Sequence, residues 1–213
     1  MLPSTIPIFP LPNVVLFPNV FLPLHIFEPR YRQMVTDALA GERMIGMVLL
    51  QPGYEDEYDG TPPVYNVGCA GLITHVERLN DGRFNIVLRG FERFRIVGEE
   101  PVSGTALYRR AHVAPLSDTN APDRLALLKA ERQKLEALLA PLFTGTLAAR
   151  GLPQQMPDDE LINALAQYLE LEPIEKQALL ERDDALARCR SLVELLEMKA
   201  LMDKGFGGAG HLH

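Results

Sequence analysis

Six prolines punctuate the first 27 residues, MLPSTIPIFPLPNVVLFPNVFLPLHIF, at positions 3, 7, 10, 12, 18 and 23, and the stretch holds no Asp, Glu, Lys or Arg. Proline lacks a backbone donor and has a fixed φ, which bars it from helix interiors and central strands but not from edge strands, strand starts and turns. The stretch therefore reads as two short extended pieces, Thr5–Phe9 and Val20–Phe27, joined by turns through Pro12–Asn13 and Pro18–Asn19. Absence of charge then marks burial, with Phe9, Leu11, Val15, Leu16 and Phe17 packed against later strands. A secretory leader would need a basic start and an unbroken apolar helix, and a membrane span would need about 18 consecutive apolar residues. Neither pattern is present, so the chain is expected to be soluble and cytoplasmic.

The following segment changes period. Glu28-Pro29-Arg30 has the form of a helix start, and Tyr31, Met34, Val35, Ala38 and Leu39 then fall on one helical stripe, which Gly41 is expected to end. MIGMVLL, Met44–Leu50, reads as a buried strand, and the acidic Pro52–Pro63 as a loop. Asp81-Gly82 separates Leu72/Thr74/Val76 from Phe84/Ile86/Leu88, two alternating runs, which is a hairpin signal. Gly90 breaks the second run, as a bulge or corner would. Beyond it Phe94 and Ile96 resume the inner face, with Arg93 and Arg95 on the other, and Ala106–Val113 is the expected last strand. After Pro115 the texture is helical, with apolar stripes at Leu128, Leu135, Leu138, Leu142 and at Leu186, Cys189, Val193, Leu196, Ala200. Helix starts are marked at Pro122, at Pro157–Glu160, at Pro173 and at Asp183-Asp184. Strands followed by helices give an α+β chain: a β-rich lobe over residues 1–115, a helical lobe over 116–204 and a flexible glycine-rich tail over 205–213.

The motifs that carry chemistry are missing. No GxxxxGK[ST] string cradles a phosphate, and no HExxH, paired Cys/His spacing or EF-hand loop holds a metal. Cys69 and His75 would lie about 20 Å apart on an ideal strand, too far for a nucleophile and its base. Cys189 falls on a core stripe and His25 at a strand end, both structural positions; His112 has no evident partner. No catalytic residue, cofactor or metal is therefore expected, and the two cysteines are expected to be reduced thiols. Net charge is −7, which disfavours backbone-driven nucleic-acid binding. An arginine series, Arg83, Arg89, Arg93, Arg95, Arg109 and Arg110, is interleaved with Glu92, Glu99 and Glu100. It reads first as a solvated, ion-paired sheet face and second as a contact for an acidic peptide or RNA. Tyr54, Tyr58, Arg89, Arg93 and Arg95, beside the acidic loop, are the candidate peptide-binding residues, and a cleft between the lobes is a candidate seat for extended polypeptide.

Two strings carry a resemblance. IPIFPLPNVVLFPNVFLPLHIFEPRYRQMV resembles the start of the N-terminal, substrate-recognising domain of ATP-dependent Lon proteases, and VGCAGLITHVERLNDGRFNIVLRGFERFRI resembles the second signature of that domain. The closing LEPIEKQALLERDDALARCRSLVELLE is similar to the helical part of bacterial stand-alone Lon-domain proteins. The resemblance implies a PUA-like β pseudo-barrel with one early helix, followed by a C-terminal α-helical bundle. It also implies a module that binds unfolded or exposed hydrophobic polypeptide as an adaptor or chaperone-like protein, with a Lon-type protease as a further partner. Lon proteases continue into an ATPase and a Ser–Lys peptidase, whereas this sequence has no Walker motif, so the expectation is binding without cleavage. An RNA-binding PUA-like protein is the alternative, and a hydrolase using Cys69 or a histidine the third reading.

Overall fold

The structure is a computed structural model that describes residues 1–54, 60–101, 106–118, 122–140 and 156–207. Among them are six strands and five helices: β1 Thr5–Leu11, β2 Phe21–Ile26, α1 Pro29–Ala40, β3 Met44–Leu49, β4 Val67–Arg78, β5 Phe84–Glu99, β6 Arg110–Leu116, α2 Pro122–Leu139, α3 Asp158–Tyr168, α4 Pro173–Leu180 and α5 Ala185–Gly207. The α+β class follows the sequence. Contacts divide the chain into two compact units, one of Met1–Ser117 with Asn163–Glu181, the other of Asp118–Ile162 with Arg182–His213.

In the first unit the strands are ordered β2-β5-β4-β3-β1-β6, and a further β5–β6 pairing closes β1, β3, β4, β5 and β6 into a ring. The long β5 makes this possible by changing partner along its length: Phe84–Arg89 pairs with β2, and Arg93–Glu99 pairs with β6. Gly90 stands at the change. A Cβ there would run into the Phe17 carbonyl, so only glycine lets the Phe17–Pro18 backbone cross so close. Inside the ring Phe94 is fully buried among Ile6, Ile8, Val48, Ala70, Ala111 and Val113. Gly68 makes room for it, since a side chain at that position would strike the Phe94 ring and the Met47 carbonyl.

Pro10, Pro23 and Pro115 each direct the missing donor to a side where no strand pairs. Gly90 N–H donates to the Val20 carbonyl at 2.8 Å, so by alternation Leu22, Leu24 and Ile26 bond to β5 and Pro23 faces the open edge of β2. Leu50 N–H donates to the Leu11 carbonyl and Ile8 N–H to the Arg109 carbonyl, which turns Pro10 away from β3, beyond the last β6 partner of β1. Val113 N–H donates to the Ser4 carbonyl, which turns Pro115 past the start of β1. The last strand accordingly runs through Pro115 to Leu116 and begins at Arg110, not at Ala106 as the sequence suggested.

Three local expectations need correction. In the Leu72–Val76 part of β4 the buried residue is Ile73, while Leu72 and Val76 are half-buried and Thr74 is exposed. Register shifts at Ala70/Gly71 and Ile73/His75 move the alternation off the simple period of two. Leu11 is half-buried, unlike Phe9, Val15, Leu16 and Phe17. Helix α1 buries Tyr31, Met34, Val35 and Ala38, with Leu39 half-buried, and ends before Gly41 as expected, but this glycine, at φ −115°, is its C-cap and not its left-handed residue. Arg43 is, at φ 58°, and its N–H donates to the Ala38 carbonyl at 2.8 Å.

The end of α3 and all of α4 belong to this unit. Gln167 Oε1 accepts from the Phe17 N–H at 3.2 Å, Tyr168 Oη donates to the Phe21 carbonyl at 3.1 Å, and the buried Gln177 donates to the Val67 carbonyl at 2.9 Å. Pro173 opens α4, where Glu172 and Glu175 form a reciprocal capping box. At its other end the Leu180 carbonyl accepts from Arg93 Nη1 at 2.8 Å.

In the second unit α2 buries Leu128, Arg132, Leu135 and Leu139. Leu139 takes the place expected for Leu138, and Leu142 lies outside the described residues. Helix α5 buries Leu186, Arg188, Cys189, Leu192 and Val193. Leu196 is only half-buried and Ala200 is exposed, so the stripe expected there fades along the helix. The buried arginines are matched by acids: Arg132 meets Asp158 at 2.5 Å and Glu136 at 2.8 Å, and Arg188 meets Asp118 at 3.3 Å. Asp184 pairs with Arg124 and caps α5 by accepting from the Ala187 N–H at 2.8 Å. The helix runs on to Gly207, into the segment read as a tail, whose remaining residues lie outside the described ones.

Candidate functional site

An open groove of about 440 Å³ lies in the first unit where β1 and β2 end and α1 begins. Its walls follow from the proline punctuation. Beyond Leu11 the chain turns through Pro12 and Asn13, and beyond Ile26 it passes through Phe27 and Glu28 into the Pro29 helix start, so two strands that are not paired with each other end at one groove with apolar side chains uncovered. Phe9, Ile26 and Tyr31 are buried and form the floor, Leu11, Leu24 and Leu50 the sides, and Phe27, 59% exposed, the lip. The rings of Phe9 and Tyr31 sit 4.1 Å apart between centroids at 42°. Behind them the Arg30 guanidinium lies 4.7 Å from the Tyr31 centroid and 2.9 Å from Glu28, so the one carboxylate on the rim is neutralised from within. A volume of this size, apolar with a few polar groups, is of the order that takes two or three side chains of a bound chain.

His25 is a rim residue held in one protonation pattern. Arg83 Nη1 lies 3.3 Å from His25 Nε2 and can only donate, so Nε2 accepts and Nδ1 carries the hydrogen that it gives to Asn85 Oδ1 at 2.8 Å. Asn85 in turn donates to Glu77 at 2.7 Å. This is the structural hydrogen bonding expected of it at a strand end. His112 finds a partner in Thr5, 2.8 Å from its Nδ1 to the hydroxyl. Cys69 is fully buried and donates to the Ala70 carbonyl, while His75 is exposed. Burial pushes the Cys189 thiol up to about 12, with the Glu131 and Asp158 charges adding to it, so it stays protonated. Among the described residues no group of three or more His, Cys, Asp or Glu side chains could hold a metal, and no helix is long and apolar enough to cross a membrane.

The candidate peptide-binding residues are not gathered into one site. Tyr54 is partly exposed after β3, and Tyr58 lies outside the described residues, as does most of the acidic stretch Glu55–Asp59. Arg89 and Arg95 are exposed on opposite sides of the Gly90 corner, Arg89 across from Phe21 and Arg95 across from Ala114. Arg93 is not on a solvated face: it is 3% exposed and donates to the end of α4. Arg93 lies on the face opposite Phe94, as strand alternation requires, and is buried because the end of α4 lies over it. Other members of the series are ion-paired as expected, Arg83 with Asp81 at 2.6 Å, Arg109 with Glu99 at 2.6 Å and Arg110 with Glu100 at 3.5 Å. The groove residues Leu24, Ile26 and Phe27 went unnoticed as a site because an uncharged run reads as core. The signal available was the pair of helix and turn starts, Pro12-Asn13 and Glu28-Pro29, that cut both strands short.

A family profile described as the ATP-dependent protease La (LON) substrate-binding domain matches residues 5–198. The Lon protease of Flavobacterium johnsoniae is 31% identical over 212 residues, which cover 93% of this chain and 25% of that protein. The Lon protease of Cytophaga hutchinsonii is 29% identical over 207 residues, 92% of this chain and 24% of that protein. The chain thus spans about a quarter of the length of the curated relatives it matches. Among solved structures, the N-terminal domain of Mycobacterium avium complex Lon protease superposes with a TM-score of 0.69 at 19% identity, covering 91% of this chain and 98% of that one. A Lon N-terminal domain protein from Xanthomonas campestris gives 0.60 at 24% identity, covering 90% and 98%.

Proposed function

The chain belongs to the family of ATP-dependent protease La (Lon) substrate-binding domains, and from that premise we propose that it binds exposed apolar segments of polypeptide in the groove between β1, β2 and α1. The observation that carries this is the groove itself, apolar on three sides, open, and with its one rim carboxylate neutralised by Arg30. Its role is recognition without cleavage, as an adaptor or chaperone-like partner of a Lon-type protease in the cytoplasm. The two free, buried thiols are in keeping with a reducing compartment. The PUA-like label is part of this proposal, supported by the ring that β5 and β6 close. RNA is not favoured, because Arg83, Arg109 and Arg110 are matched by the chain's own carboxylates and Arg93 is buried.

The test is titration with reduced, carboxymethylated α-lactalbumin, which stays unfolded, against an inert acidic control protein. The expected result is saturable binding that Phe27→Ser and Leu24→Asp each weaken by about tenfold or more, since each removes apolar contact worth about 1.5–3 kcal/mol. Binding no tighter than to the control, or untouched by both substitutions, would remove the proposal.

A further inference from the structure

The outer face of β2 and β5 carries a second feature, apart from the groove: none of Phe21, Arg89 and Tyr168 lines the groove. Gly90 N–H donates to the Val20 carbonyl and the Gly90 carbonyl accepts from Asn19, so Phe21 and Arg89, the next residues across from each other, are a non-hydrogen-bonded pair. In such pairs the Cα atoms come to about 4.5 Å and the side chains crowd on one face. Phe21 is 51% exposed there, and Tyr168, 66% exposed, stands over the same edge with its hydroxyl on the Phe21 carbonyl. Pro23 continues the exposed row along β2. Two aromatic rings and an arginine left bare together are the residue types that dominate binding energy where proteins meet.

Arg89 is held ready. Its Nη2 donates to Asn19 Oδ1 at 2.9 Å. Asn19 is itself fixed in a left-handed conformation, φ 61°, by the bond from its N–H to the Gly90 carbonyl at 2.8 Å. No carboxylate among the described residues pairs with Arg89, whereas Arg83 in the β4–β5 turn and Arg109 and Arg110 at the start of β6 each have one. A guanidinium whose fork is oriented but whose charge is unanswered is complementary to a planar anion. The flanking rings and Pro23 require that the anion arrive on an apolar chain.

We propose that Phe21, Arg89 and Tyr168 form a second docking surface, and that its occupant is a polypeptide segment carrying an Asp or Glu carboxylate beside an aromatic or aliphatic residue. Arg89 takes the carboxylate, and the neighbouring apolar side chain packs on Phe21 and Tyr168. The surface thus selects acidic-apolar segments, where the groove takes uncharged ones.

The full chain is titrated by fluorescence anisotropy with a labelled peptide, Ser-Gly-Asp-Phe-Asp-Leu-Gly-Ser, with the same peptide bearing Asn for both Asp, and with oligouridylate. The Asp peptide is expected to bind saturably, the Asn peptide about tenfold more weakly, and Arg89→Ala and Phe21→Ser each to cost the Asp peptide about tenfold. Phe27→Ser, in the groove, is expected to leave Asp-peptide affinity within about twofold, and circular dichroism checks that each variant is folded. An Arg89→Glu variant is expected to lose the Asp peptide and to gain a peptide with Lys in place of Asp. Equal affinity for the Asp and Asn peptides, no saturable binding, or tighter binding of oligouridylate that Arg89→Ala abolishes would overturn the proposal. Loss of α-lactalbumin binding with Asp-peptide binding intact would strike the groove alone.

Discussion

Individual residues here are decided by what faces them across the sheet more than by their own type. Six arginines that look equivalent in sequence end as three ion-paired groups, one buried cap of a helix and two exposed cations, according to which carboxylate or which helix end meets each one. Tyr108 makes the point with a titration. Partial burial, then the hydrogen bond that its hydroxyl gives Asp37 at 2.9 Å, push its pKa from 10.0 up to about 12. The neutral phenol is thus the form the fold favours. Its contribution to stability is fully present below pH 10 and is lost as pH rises toward 12. Absorbance at 295 nm should show a tyrosine step displaced toward pH 12, and Tyr108→Phe should delete that step and flatten the loss of stability over the same interval.

Among elements, α4 shows how a short helix is fixed to a sheet. Eight residues are too few to be stable alone, so the helix depends on Leu179 and Leu180 in the core, Gln177 on the Val67 carbonyl, and Arg93 on its last carbonyls, where the helix dipole favours a cation. Arg93→Met keeps the length of the side chain and removes the charge and the donor. The expected cost is about 2–3 kcal/mol, from the buried Leu180 carbonyl left without this partner. Guanidinium denaturation measures it, and hydrogen exchange should quicken in α4 before it does in β4. Elements were also the best-read level in the sequence. The prolines, the Asp81-Gly82 turn and the helix-start signals are local in chain and local in cause, and every strand and helix they marked among the described residues is present. The faces were read less well, since a bulge shifts the alternation without leaving a mark in the period of the strand itself.

For the whole molecule, the closing β5–β6 pairing and the return of Asn163–Glu181 to the strands are the two facts that local signals did not carry. A chain cut after Ser117 would keep all six strands. It would nevertheless lose Gln177, Leu179, Leu180 and the Gln167 and Tyr168 bonds to Phe17 and Phe21. That fragment is expected to lose cooperative thermal unfolding or to aggregate, as calorimetry and sedimentation would report. A fragment that melts as sharply as the full chain would show that the ring stands without its helices.

The sequence by itself determined the class, the family, the extended, proline-punctuated start of the chain and the lack of a recognisable catalytic motif, because each depends on residues near one another in the chain. Only the tertiary structure decided that β5 serves two partners, that Arg93 is buried while Arg89 is bare, and that uncharged residues read as core line an open groove. An apolar side chain has the same pattern whether another element covers it or not. Covering depends on which distant segments meet, and at the ends of β1 and β2 no described segment closes over the apolar walls.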